Sequence, residues 1–183
     1  MKNTTLLIAI LWAMIALAAL PVWAGDLYVG AGASVATESF DGKPHGTDID
    51  HTNGWDFLLG YRATEHFGIE GQFQTLQAFD VDGSVDGSVE NWSGSLSAKV
   101  YPFEGGIQPF LSVGFGLIDL RSSQRLGQFA EDTKDWATAI GGGIDFALGD
   151  RLTLELAGRY WLPQDELRSF EYWVAGANLQ WRF

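Results

Sequence analysis

The sequence predicts an all-β protein, an eight-stranded antiparallel up-and-down transmembrane β-barrel. Three observations carry that expectation. Apolar residues alternate with small or polar ones at period two in eight separate runs. Each run is about ten residues, the length a tilted strand needs to cross a bilayer. The connections between runs are alternately very short and long, as in barrels that turn tightly on one side of a membrane and loop out on the other.

The runs are 27–36, 54–62, 67–76, 91–101, 108–118, 136–147, 152–161 and 171–183. Successive strand side chains point to opposite faces, so each run has two readable faces. In the first, Leu27, Val29, Ala31, Ala33 and Val35 oppose Gly30, Gly32 and Ser34. In the second and third, Trp55, Phe57, Leu59, Tyr61, Phe67, Ile69 and Phe73 oppose Gly60, Arg62, Glu70, Gln72 and Gln74. The fourth sets Trp92, Leu96, Ala98 and Val100 against Ser93, Ser95, Ser97 and Lys99. The fifth sets Leu111, Val113, Phe115 and Leu117 against Ser112, Gly114 and Gly116. In the sixth and seventh, Trp136, Ile140, Ile144, Phe146, Leu152, Leu154, Leu156 and Tyr160 oppose Gly141, Gly143, Asp145, Thr153, Glu155 and Arg159. The last has Trp173, Ala175, Ala177, Leu179, Trp181 and Phe183 on one side. A soluble sandwich or lipocalin-like barrel turns its bulky apolar face inward to fill a core. Here the charges share the small-residue face and the aromatics stand at the ends of the other. That is the inverted pattern of a barrel whose outside meets lipid.

The short connections are ATEH, FEGGI and GDR. The long ones are ESFDGKPHGTDIDH, AFDVDGSVDGSVE, RSSQRLGQFAEDTK and PQDELRS. Ahead of the first strand, residues 1–24 hold one lysine, an apolar run from Leu6 to Leu20, and small residues around Ala24. This is the layout of a secretory signal peptide. An uncleaved anchor helix is the alternative, but the run falls short of the about 20 residues a span requires. Cleavage after Ala24 is expected, leaving 25–183 as one barrel domain.

Composition removes several classes. Without Lys2 the remainder carries 10 basic and 23 acidic side chains, the opposite of a nucleic-acid footprint. No cysteine is present, so neither disulfides nor thiol chemistry arises, and no cofactor is expected. Asp80, Asp82 and Asp86, with Gly83 and Gly87, resemble half of a calcium loop. The bidentate glutamate at its twelfth position is replaced by Asn91, which leaves a weak Ca²⁺ or Mg²⁺ candidate or a solvated turn. His45, Asp48, Asp50 and His51 share the first long connection but form no committed Ser-His-acid arrangement.

Three segments carry a family resemblance: GDLYVGAGAS at 25–34, IQPFLSVGFG at 107–116 and the terminal LQWRF. They are similar to the small outer-membrane β-barrel family that includes the transmembrane domain of outer membrane protein A and the Ail/Lom and opacity-type surface proteins. The resemblance implies a Gram-negative outer membrane, with lipid and lipopolysaccharide as neighbours. It implies that Trp181 and Phe183 belong to a C-terminal signal read by the barrel-assembly machinery. It also implies that acid–base pairs inside the barrel plug or gate it, with Glu70, Lys99, Asp145 and Arg159 on the matching strands. Lipid A deacylases of this size carry a His-x-Ser-Asn run, which is absent here.

The inward charges Arg62, Glu70, Lys99, Asp145, Glu155, Arg159 and Arg182 are therefore expected to pair within a narrow lumen. Asp145 and Glu155 fall opposite each other across the tight turn at Gly149-Asp150, about 5 Å apart. Both cannot ionise unless a cation intervenes, and Lys99 or Arg159 is the candidate. The expected protein is a non-enzymatic, monomeric structural or surface-interaction barrel with acidic loops, a plugged lumen and an extracellular loop ligand. A narrow porin-like channel and a lipid A-modifying enzyme are the alternatives.

Overall fold

The computed structural model describes residues 25–39, 51–80, 88–122, 132–164 and 171–183. They form eight strands: β1 Asp26–Ser39, β2 His51–Thr64, β3 Phe67–Asp80, β4 Ser88–Val100, β5 Ile107–Ser122, β6 Asp132–Ala147, β7 Leu152–Pro163 and β8 Glu171–Arg182. Every strand pairs antiparallel with its neighbours in sequence, and β8 returns to β1 to close the barrel. Closure leaves no edge strand with unpaired backbone groups, which a membrane interior would not tolerate.

The predicted strands lie within the observed ones, apart from single residues at the short-turn ends, and the differences have one direction. At the end carrying the short turns the bounds agree within one or two residues. At the other end most strands run on, β3 from 76 to Asp80 and β5 from 118 to Ser122. Apolar alternation reports only where lipid is, whereas the hydrogen-bonded ladder needs no apolar face and continues beyond it. A register shift between Leu76 and Phe79 marks the point where alternation lapses in β3. Asp80 is thereby the last residue of β3, opposite Ser88, rather than part of a free loop.

The inverted polarity is as expected. Leu111 is 70% exposed on the outer wall, while Lys99 inside is 0% exposed. Aromatic rings flank the outer aliphatic band. Toward the long connections Phe73 stacks on Trp92, Phe115 on Trp136, and Tyr160 lies against Trp173. Toward the short turns Phe67, Phe103, Trp181 and Phe183 are exposed. Such girdles sit at the two membrane interfaces.

One expectation is corrected. The inward face is not polar throughout. In the half nearer the long connections it includes an apolar cluster of Ala36, Leu76, Ile118, Ala137, Ala139, Trp161, Tyr172 and Val174. Trp161 shares its parity with Glu155 and Arg159, so its inward direction was legible. Its flanks Tyr160 and Leu162 are also apolar, which erased the alternation that would have shown it.

The lumen as candidate functional site

β3 turns Glu70 into the lumen, β4 turns Lys99, and β7 turns both Glu155 and Arg159. Lys99 stands between two carboxylates: its Nζ lies 2.6 Å from Glu70 Oε2 and also donates to Glu155 Oε2. Arg159 Nη2 donates to the other oxygen of Glu70 at 3.0 Å. Neutral donors complete the shell. The Tyr28 hydroxyl donates to Glu70 Oε2 at 2.9 Å, Asn178 Nδ2 to Glu155 Oε1 at 3.1 Å, and Gln180 Nε2 to Glu155 Oε2 at 2.8 Å. Tyr28 reaches Glu70 because its ring lies across Gly60, where a Cβ would come within 2.1 Å of the ring. Two cations, two anions and three neutral donors are thus linked, so each buried charge meets an opposite one, the condition for burying ions at all. Arg159 Nε and Asn178 Oδ1 are left without a hydrogen-bond partner.

Asp145 faces Glu155 in the β6–β7 register, as the turn arithmetic predicts. Tyr101 supplies it with a side-chain hydrogen bond, and its Oδ1 has no hydrogen-bond partner. Arg159 pairs with Glu70, so of the two candidate cations it is Lys99 that reaches Glu155, and it bridges Glu155 to Glu70 rather than to Asp145. Lys99 also lies 4.4 Å from the centre of the Phe110 ring. Arg62 sits nearer the short turns, its guanidinium 3.7 Å above the Tyr101 ring, and donates to the Glu65 carbonyl at 2.8 Å. A cation over an aromatic face is held by the ring's negative π-cloud. Arg182 is corrected from a lumen residue to a rim residue: it is partly exposed and 3.9 Å from Asp26.

A second polar tier joins the expected inward residues Ser34, Gln72 and Gln74 to Asp56, which was not among them. Asp56, 1% exposed, accepts from Gln72 Nε2 at 3.0 Å and Gln74 Nε2 at 2.9 Å, and Gln74 also donates to Ser34. Asp56 shares parity with Gly60 and Arg62, and that was the available signal. Above this tier begins the apolar cluster. Where the two meet, a cavity of about 10 Å³ is lined by Asp56, Gln74, Arg159, Trp161 and Val174, among others, no more than about one water molecule.

At the rim, Trp181 and Phe183 point outward, and the Phe183 amide donates to the Leu27 carbonyl at 3.0 Å. The chain terminus is thus stitched to β1 at the closing seam. His66 belongs to the short turn after β2, its Nδ1 2.9 Å from the Tyr101 carbonyl and its Nε2 3.2 Å from Glu104. Asp82, Asp86, His45, Asp48 and Asp50 lie outside the described residues, as do the side chains of Asp80 and His51 and residues 1–24. Among the described residues no group of three or more His, Cys, Asp or Glu is placed to hold a metal ion.

A family model described as outer membrane protein beta-barrel domain matches residues 7–183. The chain belongs to that family. The barrel is also similar to solved structures: Ail, the attachment invasion locus protein of Yersinia pestis, at 17% identity and TM-score 0.62, covering 87% of this chain and 99% of that one. Neisserial surface protein A matches at 14% identity and TM-score 0.66, covering 86% and 97%. OprG of Pseudomonas aeruginosa matches at 20% identity and TM-score 0.57, covering 87% and 96%. At these identities the likeness is one of fold. A comparison with curated protein sequences finds no match. The protein is an outer-membrane β-barrel.

Proposed function

We propose that this outer-membrane barrel is a non-enzymatic surface protein whose lumen is closed and whose extracellular end meets cationic partners. The observation that carries the reading is the filled lumen. Lys99, Glu70 and Glu155 are buried below, Trp161 and Tyr172 above, so function moves to the surface. That surface is acidic. Residues 38–51, 77–91, 119–135 and 164–171 together hold 15 of the 23 acids and five of the 11 bases. Lys134, one of those bases, is already engaged at 2.6 Å by Asp119 and lies over Trp92. Ail has been solved with the heparin analogue sucrose octasulfate. The charge at the loop end here disfavours such a polyanion and favours a polycation or divalent ions bridging to lipopolysaccharide phosphates.

The test is binding of refolded protein to immobilised polylysine and to heparin, with each long connection shortened in turn. Polylysine should be retained at low salt, lost as salt screens the charges, and weakened most by shortening 40–50 or 81–87. Retention on heparin instead would overturn the charge assignment. A lipid A-modifying enzyme would change the mass of lipopolysaccharide in cells expressing the protein, and no change is expected.

Maturation follows the same reading. N-terminal sequencing of the membrane-inserted protein should begin at Gly25. Deleting Phe183, a rim aromatic tied to β1 and part of the assembly signal, should lower the yield of heat-modifiable folded barrel and leave unfolded chain behind. An unchanged folded yield would remove the C-terminal strand from that role. A monomer is expected in detergent.

A further inference from the structure

We infer that ions are excluded from this barrel by the apolar layer in its extracellular half and not by the ion-pair network beneath it. The inference rests on the closed-lumen reading above and says which part of the lumen does the closing. Two barriers lie in series along one axis, and the higher one governs passage. The lower tier is made of charged and amide side chains that offer an ion replacements for its hydration shell. The upper layer offers no charge, and its polar atoms are the Tyr172 hydroxyl and the Trp161 indole N–H. Trp161 stacks on Tyr172, ring centres 6.0 Å apart and planes within 11°. Leu76, Ile118, Ala139 and Val174 are packed with them. These six residues come from β3, β5, β6, β7 and β8, so five of the eight strands contribute to the layer. The polar residues Thr52, Ser93 and Asp135 stand at its margin, opposite Ala36, Ile118 and Ile118 in the strand registers. Between Asp56 and Arg159 below and Asp135 above, no described inward side chain carries a charge. A constriction of this kind closes by excluding water, without any electrostatic lock.

The experiment is planar-bilayer recording of the full refolded protein and three kinds of variant, each first shown to be folded by its heat-modifiable gel shift. The parent should show only small, rare openings or none, which sets the baseline. Trp161→Ser, which both shortens and wets the layer, should raise the frequency of discrete openings by about tenfold or more over the parent baseline. Val174→Ser serves if Trp161→Ser does not fold, with the same direction expected. Lys99→Met, or Arg159→Met if the former does not fold, should stay at that baseline. Openings above it in the ion-pair variant, with none above it in the layer variants, would place the seal in the network and overturn the inference. Baseline behaviour of folded Trp161→Ser combined with Lys99→Met would overturn it too. A steady conductance from the unaltered parent is a different failure, one that removes the closed-lumen reading itself.

Discussion

Replacing Lys99 with methionine is expected to destabilise the folded barrel by about 3–5 kcal/mol, the usual consequence of stranding buried charge. Methionine preserves most of the side chain's length and its contact with Phe110, so the loss isolates the ammonium group. Removing it leaves Glu70 and Glu155, both at most 1% exposed, facing each other across the lumen. Glu70 keeps Arg159 and Tyr28, while Glu155 keeps only the amides of Asn178 and Gln180 among its described donors. The effect should therefore be relieved in part by a second change, Glu155→Gln, which deletes the stranded charge. Urea unfolding in lipid vesicles, run as a double-mutant cycle, reads both quantities. A coupling of about 0.5–3 kcal/mol is expected for groups in direct contact. The matching cycle between Arg159→Met and Asp145→Asn should be close to additive, because Arg159 is spent on Glu70. Strict additivity in the Lys99 cycle would show that the network is a set of independent groups.

Gly32→Ala should be the other severe change, for a steric reason. Gly32 pairs with Asn178 at the β1–β8 seam that closes the barrel. A Cβ there would stand 2.1 Å from the Ala177 carbonyl oxygen, 2.2 Å from Asn178 Oδ1 and 2.7 Å from Asn178 Cα. Two of those atoms are backbone, so the strands themselves must part. Overpacking of this kind costs about 1–3 kcal/mol and sometimes more. The displacement would also pull Asn178 from Glu155, coupling the seam to the ion network. Gly158→Ala provides the control, since nothing lies within 4 Å of its Cβ position, and its effect should stay within about 0.5 kcal/mol. Equal urea midpoints for the two variants would mean that the seam relaxes freely.

What was legible in the chain differs between wall and lumen for a physical reason. The outer wall meets a uniform solvent, hydrocarbon, and responds to it residue by residue. Leu111, Phe115 and Ile140 could be placed outside from parity alone. The lumen is a solvent made of the other side chains. Its parity showed Arg62, Glu70, Lys99, Asp145, Glu155 and Arg159 facing inward, but inward direction carries no information about depth or partner. Asp56, between the outward Trp55 and Phe57, has the parity of an inward residue. Trp161, by contrast, stands between the apolar Tyr160 and Leu162, and an apolar residue with apolar flanks hides which face is which.

Strand number, the outward lipid face, the side bearing the short turns and the Asp145–Glu155 opposition were thus determined by the sequence by itself. Each depends on a period of two or on counting back from a tight turn, and both are local properties of the backbone. Only the tertiary structure decided that Lys99 meets Glu70 and Glu155, 29 and 56 residues away, and that Arg159 crosses to Glu70, 89 residues away. It also decided that an apolar layer caps the ions. Those choices follow from closing β8 onto β1. Closure brings non-neighbouring strands across a lumen narrow enough for a lysine to span, where each buried charge must take whichever opposite charge its side chain can reach.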